Sequence, residues 1–168
     1  MKEDSMLDQV KRKLLLLPVT ALALGMAISC ASTDADKKAA ADKAALAKSD
    51  PKSIYFRLGG QPAVDAAVEL FYKKVLADKS VNHHFEGINL DKQRAKQKQF
   101  LAAAFGGPVP YTGKDLRKAH RNLDLEESDF NAIAGHLQAT LKELKINDKL
   151  IAEVLAVAAS TKDDVLNK

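Results

Sequence analysis

Apolar side chains recur in this chain at intervals of three and four residues, the spacing that stacks side chains on one face of a helix. From Pro62 to Ala77 the pattern places Val64, Ala67, Val68, Phe71, Tyr72 and Val75 on one broad face. Pro62 itself suits a first helical turn. From Glu126 to Lys145 it aligns Phe130, Ile133, Ala134, Leu137, Leu141 and Leu144. Asn147 and Asp148 can then cap a last helix reaching Ser160, with Leu150, Ile151, Val154, Leu155 and Val157 inward. A fourth long segment is different in kind. Between a cap at Asn89 or Asp91 and a stop near Phe105, the helical stripe is half polar: Gln93, Lys96, Gln97, Phe100 and Ala104. Shorter pieces run from Ser53 to Leu58, closed by Gly59-Gly60, from Val81 to Phe85, and from Lys114 to Arg121. Gly106, Gly107, Pro108, Pro110 and Gly113 make a breaker-rich loop between two of these pieces. No segment alternates at period two for long enough to make a strand. The expected class is all-α.

The first fifty residues follow another pattern. Lys11-Arg12-Lys13 precede an apolar run from Leu14 to Ser29, interrupted by Pro18 and Gly25. A bilayer span takes roughly 20 residues, so the run reads as a secretory leader. It ends Ala27-Ile28-Ser29-Cys30, which resembles a bacterial lipobox, although leucine is more usual where Ala27 stands. Cys30 is then the lipidated first residue of the mature chain, and the protein is expected in the cell envelope, lipid-anchored to a membrane and facing the periplasm. An uncleaved anchor with an incidental cysteine is the alternative. Cys30 is the only cysteine, so no disulfide within the chain can form. Residues 31–52 are mostly Ala, Asp, Lys and Ser, with little apolar surface to offset the entropy of ordering. The expected organisation is a leader over 1–29, a flexible tether over 30–52 and one domain over 53–168.

Composition sharpens one point. The chain of 168 residues is 46% hydrophobic, enough for a core, yet only 5% aromatic and without tryptophan. Aliphatic side chains must fill that core unless a cofactor helps. The segment bearing His120 is too short to be a stable helix alone. Tertiary packing can hold it, and a metal–imidazole bond would hold it more firmly. The net charge of +4 comes from 26 basic and 22 acidic residues that are interspersed. No basic patch is interleaved with aromatics, so no nucleic-acid partner is expected.

The order of motifs resembles the group I truncated haemoglobins, N-type branch. The pieces are Gly59-Gly60, Phe71-Tyr72, Phe85, Gln93, Lys96-Gln97, Phe105-Gly106-Gly107-Pro108, Tyr111-Thr112-Gly113 and Ala119-His120. The resemblance implies a two-over-two helical sandwich around one haem b. His120 matches the proximal iron ligand, its Nδ1–H expected on a backbone carbonyl. Tyr72 matches the distal tyrosine that donates to bound dioxygen. Gln97 matches the position that usually pairs with that tyrosine, and Gln93 lies one turn away on the same face. Lys96 matches a residue that either pairs with a haem propionate or ligates iron. An ordinary lysine amine gives up its proton at pH 7 only at a cost of about 4.6 kcal/mol, which favours the propionate. Phe85 matches the phenylalanine on the haem face. Phe100 and Leu101 match the distal lining and its apolar tunnel. Leu116 is expected beneath the proximal side, and Tyr111 at a propionate or packed in its loop. His83, His84 and His136 match no ligand position. The stretch from Val157 to Leu166 lacks the histidine that bonds covalently to haem in some relatives, so the haem is expected to be non-covalent.

What the resemblance implies for function is binding of dioxygen, nitric oxide and carbon monoxide, with nitric oxide dioxygenation as the chemistry and an external reductase as electron donor. A six-coordinate redox or sensor protein, with Lys96 as the sixth ligand, is the main alternative. A haem-free helical lipoprotein that binds a protein partner is the third reading.

Overall fold

The computed structural model describes residues 33–168. The leader, the apolar run and Cys30 lie outside the described residues. Among those described there are helices and no strand: α1 (Asp34–Ala47), α2 (Ile54–Leu58), α3 (Gln61–Ala77), a 3₁₀ turn (Asn82–Phe85), α4 (Leu90–Ala104), α5 (Leu116–His120), α6 (Glu127–Glu143), α7 (Asp148–Ser160) and α8 (Lys162–Val165).

The tether expected over 30–52 is, from residue 34 to 47, helix α1. Local chemistry starts it. The Thr33 hydroxyl accepts from the Asp36 amide at 3.2 Å, and the Asp36 carboxylate accepts from the Thr33 amide at 3.0 Å. This reciprocal cap satisfies two orphan donors, and alanine propagates the helix. No residue of α1 is fully buried, so two contacts tie it down. Lys38 bridges Asp42 and, at 3.1 Å, Asp65 of α3. Leu46 packs on the hydrophobic core. A methyl group at Gly60 would stand 3.0 Å from the Leu46 side chain, and Gly60 has φ of +75°. Glycine there lets the α2–α3 corner turn beneath α1.

Most other ends fall where capping chemistry places them. The side chains of Ser53, Asn89, Asp115 and Asn147 each accept the backbone N–H three residues on. The expected start at Lys114 shifts to a cap at Asp115 for that reason. Helix α4 stops because Gly107 donates back to the Ala102 carbonyl at 2.8 Å. A Cβ at Gly107 would lie 2.6 Å from that oxygen, so only glycine fits. The Tyr55 amide donates to the Phe105 carbonyl at 2.8 Å, locking α2 to this end of α4.

Helix α3 is the hub. Val64, Val68, Phe71, Tyr72 and Val75 are buried along it. It packs against α4 and α6, and α6 packs against α7. Lys74–Glu143 at 2.5 Å and Asp78–His136 at 2.7 Å tie the end of α3 to α6. Helix α8 has too little periodicity to be legible in four residues. It covers α5: Arg117 of α5 donates to Asp164 at 3.0 Å and to the Lys168 carbonyl at 2.9 Å. Thus the helix carrying His120 has its own C-terminal brace.

Candidate functional site

One cavity of about 710 Å³, with mostly apolar walls, opens among these helices. Its size lies within the range of small-molecule and cofactor sites, about 300–1,000 Å³. Helix α3 contributes Phe71 and Tyr72, and the 3₁₀ turn contributes Phe85. Gln93, Lys96, Gln97, Phe100 and Leu101 line it from α4. Tyr111 comes from the breaker loop, and Leu116 and His120 from α5. The ten candidate residues, separated by up to 48 positions in the chain, share this one space. A second apolar cavity of about 190 Å³ shares Ala67, Leu101, Phe105 and Leu137 with the first.

The His120 ring is oriented from within its own helix. Its Nδ1 lies 2.7 Å from the Leu116 carbonyl, one turn earlier. A carbonyl only accepts, so Nδ1 carries the proton. The neutral ring then has its lone pair on Nε2, the tautomer a metal ligand needs. With Nδ1 so engaged, the one histidine in the breaker-bounded helix keeps Nε2 as its acceptor nitrogen.

Tyr72 is 2% exposed and held edge-on by two rings. Phe71 lies at 5.4 Å and Phe85 at 5.8 Å between centroids, both T-shaped. Burial pushes the phenol pKa up, while a hydrogen bond with Gln93 and the Arg94 charge pull it down. The balance is upward, so the hydroxyl remains a proton donor at neutral pH. The glutamine beside this phenol is Gln93; Gln97, expected to pair with it, stands one turn on in the same wall. Phe100 and Tyr111 meet edge to face at 5.4 Å, which packs the loop against α4.

Sequence reasoning missed several wall residues. His84, which matches no ligand position in the sequence, lines the cavity and is half-buried; its Nε2 has no hydrogen bond and lies 3.4 Å from Asp129. No periodic signal marks it, because the 3₁₀ turn is too short to have a face. Lys114 and Thr112 of the loop also reach the cavity. His83 is exposed, and His136 is occupied by Asp78. Among the described residues no cluster of His, Cys, Asp and Glu makes a separate metal site. The cavity therefore fits a large, mostly apolar group carrying its own metal: mostly apolar walls, an imidazole on α5 with its Nδ1 engaged, and polar side chains on α4 and the loop.

Comparison with known proteins agrees with this. Residues 53–167 match the family described as bacterial-like globin. The chain is 46% identical over 116 residues to the group 1 truncated hemoglobin of Tetrahymena thermophila, covering 69% of this chain and 96% of that one. The Fe(III) structure of truncated hemoglobin from Tetrahymena pyriformis superposes with a TM-score of 0.67 at 45% identity, over 70% of this chain and all of that chain. The 2/2 hemoglobin of Synechococcus sp., with covalently attached heme, gives 0.66 at 44% identity over 69% of this chain and 99% of that one. The helices described above are thus the two-over-two sandwich of a shortened globin, and the chain belongs to the group 1 truncated haemoglobins.

Proposed function

We propose that this protein holds haem b non-covalently through His120, binds dioxygen and nitric oxide, and converts nitric oxide to nitrate. Haem supplies reversible binding of diatomic gases and the electron chemistry that combines nitric oxide with dioxygen. The protein supplies the rest. His120 Nε2 would hold the haem iron, with the Leu116 carbonyl keeping the ring in the tautomer that leaves Nε2 its lone pair. Tyr72 offers its O–H to the distal ligand, with Gln93 steadying the phenol and Gln97 beside it. A hydrogen bond to a charged acceptor contributes about 1.5–3 kcal/mol, which favours polar dioxygen over carbon monoxide. Phe85 and Phe100 give flat apolar contact and exclude water. The smaller cavity beside Leu101 offers apolar gases a dry route or reservoir. Nitrate formation leaves the protein oxidised, so an external one-electron donor is needed.

Lys96 lines the cavity yet is an exposed residue. An amine that stands in water at the cavity's edge is better placed for a solvent-facing carboxylate than for an enclosed metal. That favours pairing with a haem propionate over the six-coordinate alternative. We further propose envelope localisation through a lipid at Cys30, on the strength of the leader pattern.

The observation that carries this reading is the His120 Nδ1 contact to Leu116 inside the common cavity. Hemin titration tests it. His120→Gly should lose the normal Soret band and most haem affinity, whereas His83→Gly, His84→Gly and His136→Gly keep both. Equal retention in all four variants would remove His120 as the ligand.

A further inference from the structure

Arg94 is not part of the cavity wall, yet it lies directly behind it. Its guanidinium carbon is 5.9 Å from the centroid of the Tyr72 ring. It sits on α4 next to Gln93, and the phenol it faces is on α3. Two acidic groups face it, Glu69 at 3.5 Å and Asp91 at 3.3 Å. Lys98 takes the other oxygen of Glu69 at 2.7 Å. Both acids are open to water, Asp91 almost completely. Ion pairs of that kind contribute little. The guanidinium is part-buried: its side chain is only 26% exposed, Nη1 donates to Asp91 at the surface, and Nε is buried without a hydrogen bond. The ring face, not the acids, is what a part-buried guanidinium gains here. A cation over an aromatic face is held more strongly as water is removed.

We infer that Arg94 is a positioning residue for Tyr72, holding the buried phenol toward the cavity and strengthening its O–H as a donor. This rests on the proposed role of Tyr72 in ligand binding. The physics has two parts. Phe71 and Phe85 meet the ring edge to face and Arg94 stands over it, so the ring is held by three neighbours. A positive charge near the ring favours loss of the phenolic proton, so it offsets burial and makes the O–H a better donor. Arg94 also meets Glu69 of α3, one turn before Tyr72.

The test uses the haem-loaded protein with Arg94→Met, Arg94→Lys, Tyr72→Phe and the Arg94→Met/Tyr72→Phe double variant. Dioxygen release should speed up about two- to tenfold in Arg94→Met, the size of one desolvated cation–ring contact. NMR of Cζ-labelled tyrosine in the CO form should show Tyr72 ionising at higher pH in Arg94→Met, with the Tyr72 resonance assigned from Tyr72→Phe. Arg94→Lys, which keeps the charge, should restore most of both effects. Adding Arg94→Met to Tyr72→Phe should change release no further. A less stable Arg94→Met with an unmoved phenol and unmoved release would make Arg94 structural only and overturn the inference. So would an Arg94 effect that survives without the Tyr72 hydroxyl. The underlying functional reading is judged separately. Tyr72→Phe alone should release dioxygen about ten- to a hundredfold faster. An unchanged rate there sinks the ligand role, while the NMR titration still decides whether Arg94 acts on the phenol.

Discussion

His120 and Tyr72 show how little chemistry a single residue carries until its neighbours select a state. Imidazole has two tautomers, and the Leu116 carbonyl at 2.7 Å selects one. Phenol is donor and acceptor, and burial keeps it protonated. Lys96 differs: it lines the cavity from an exposed position, so its partner is set by what the cavity holds. The propionate role has a spectral consequence. The ferric protein at pH 6 should be high-spin, and Lys96→Ala should leave the spin state alone. Haem loss to an acceptor globin should then rise only about two- to fivefold, as expected for one exposed ion pair worth up to about 1 kcal/mol. A wild type already low-spin at pH 6, converted to high-spin by Lys96→Ala, would instead make the amine a standing iron ligand. That result would favour electron transfer or sensing over gas chemistry.

At the scale of elements, the long amphipathic helices were legible because each buries one stripe: α3, α6 and α7 could be read from periodicity, with Pro62 in the first turn of α3 and Asn147 capping α7. Two elements were not. Helix α1 lacks a stripe, and Leu46 with the Lys38–Asp65 contact suffices to dock it, which a count of large apolar residues underestimates. Helix α8 has four residues and is defined by what it braces, the helix of His120. Ion pairs between elements were equally invisible, since partners such as Asp78 and His136 lie 58 positions apart. That pair gives a pH dependence with a definite sign. Hydrogen bonds from the Ser80 side chain and backbone, and then from His136, lower the Asp78 carboxyl from 3.8 to about 2. A carboxyl depressed in the folded state is protonated more readily when unfolded. Its stabilising contribution is therefore complete above about pH 4 and disappears as pH falls toward 2. Thermal melts of wild type and Asp78→Asn should differ at pH 5 and converge near pH 2. Curves that run parallel down to pH 2 would show that the carboxylate contributes nothing through its ionisation.

Across the whole molecule, the site was more legible than the scaffold. The half-polar stripe on α4 marked Gln93, Lys96, Gln97 and Phe100, the resemblance to group I truncated haemoglobins supplied the other six, and all ten line one cavity. Residues such as His84, Lys114 and Arg94 escaped notice because a pocket wall and its supporting layer exist only once helices pack. The leader is a separate matter of covalent processing and rests on residue pattern alone: Lys11-Arg12-Lys13, a short apolar run, then Ala27-Ile28-Ser29-Cys30. A single acyl chain gives only marginal membrane binding, and stable anchoring takes more than one lipid signal. If processing follows the lipobox pattern, protein recovered from the membrane fraction should begin at Cys30. Its N-terminal peptide should carry more than one acyl group by mass spectrometry. Cys30→Ser should abolish that peptide and release the protein from membranes, while leaving hemin titration unchanged, because among the described residues the lining of the larger cavity begins at Ala67. An intact Met1 terminus in cells would sink the cleavage, and Cys30→Ser protein that stays membrane-bound would assign the anchoring to something other than the lipid.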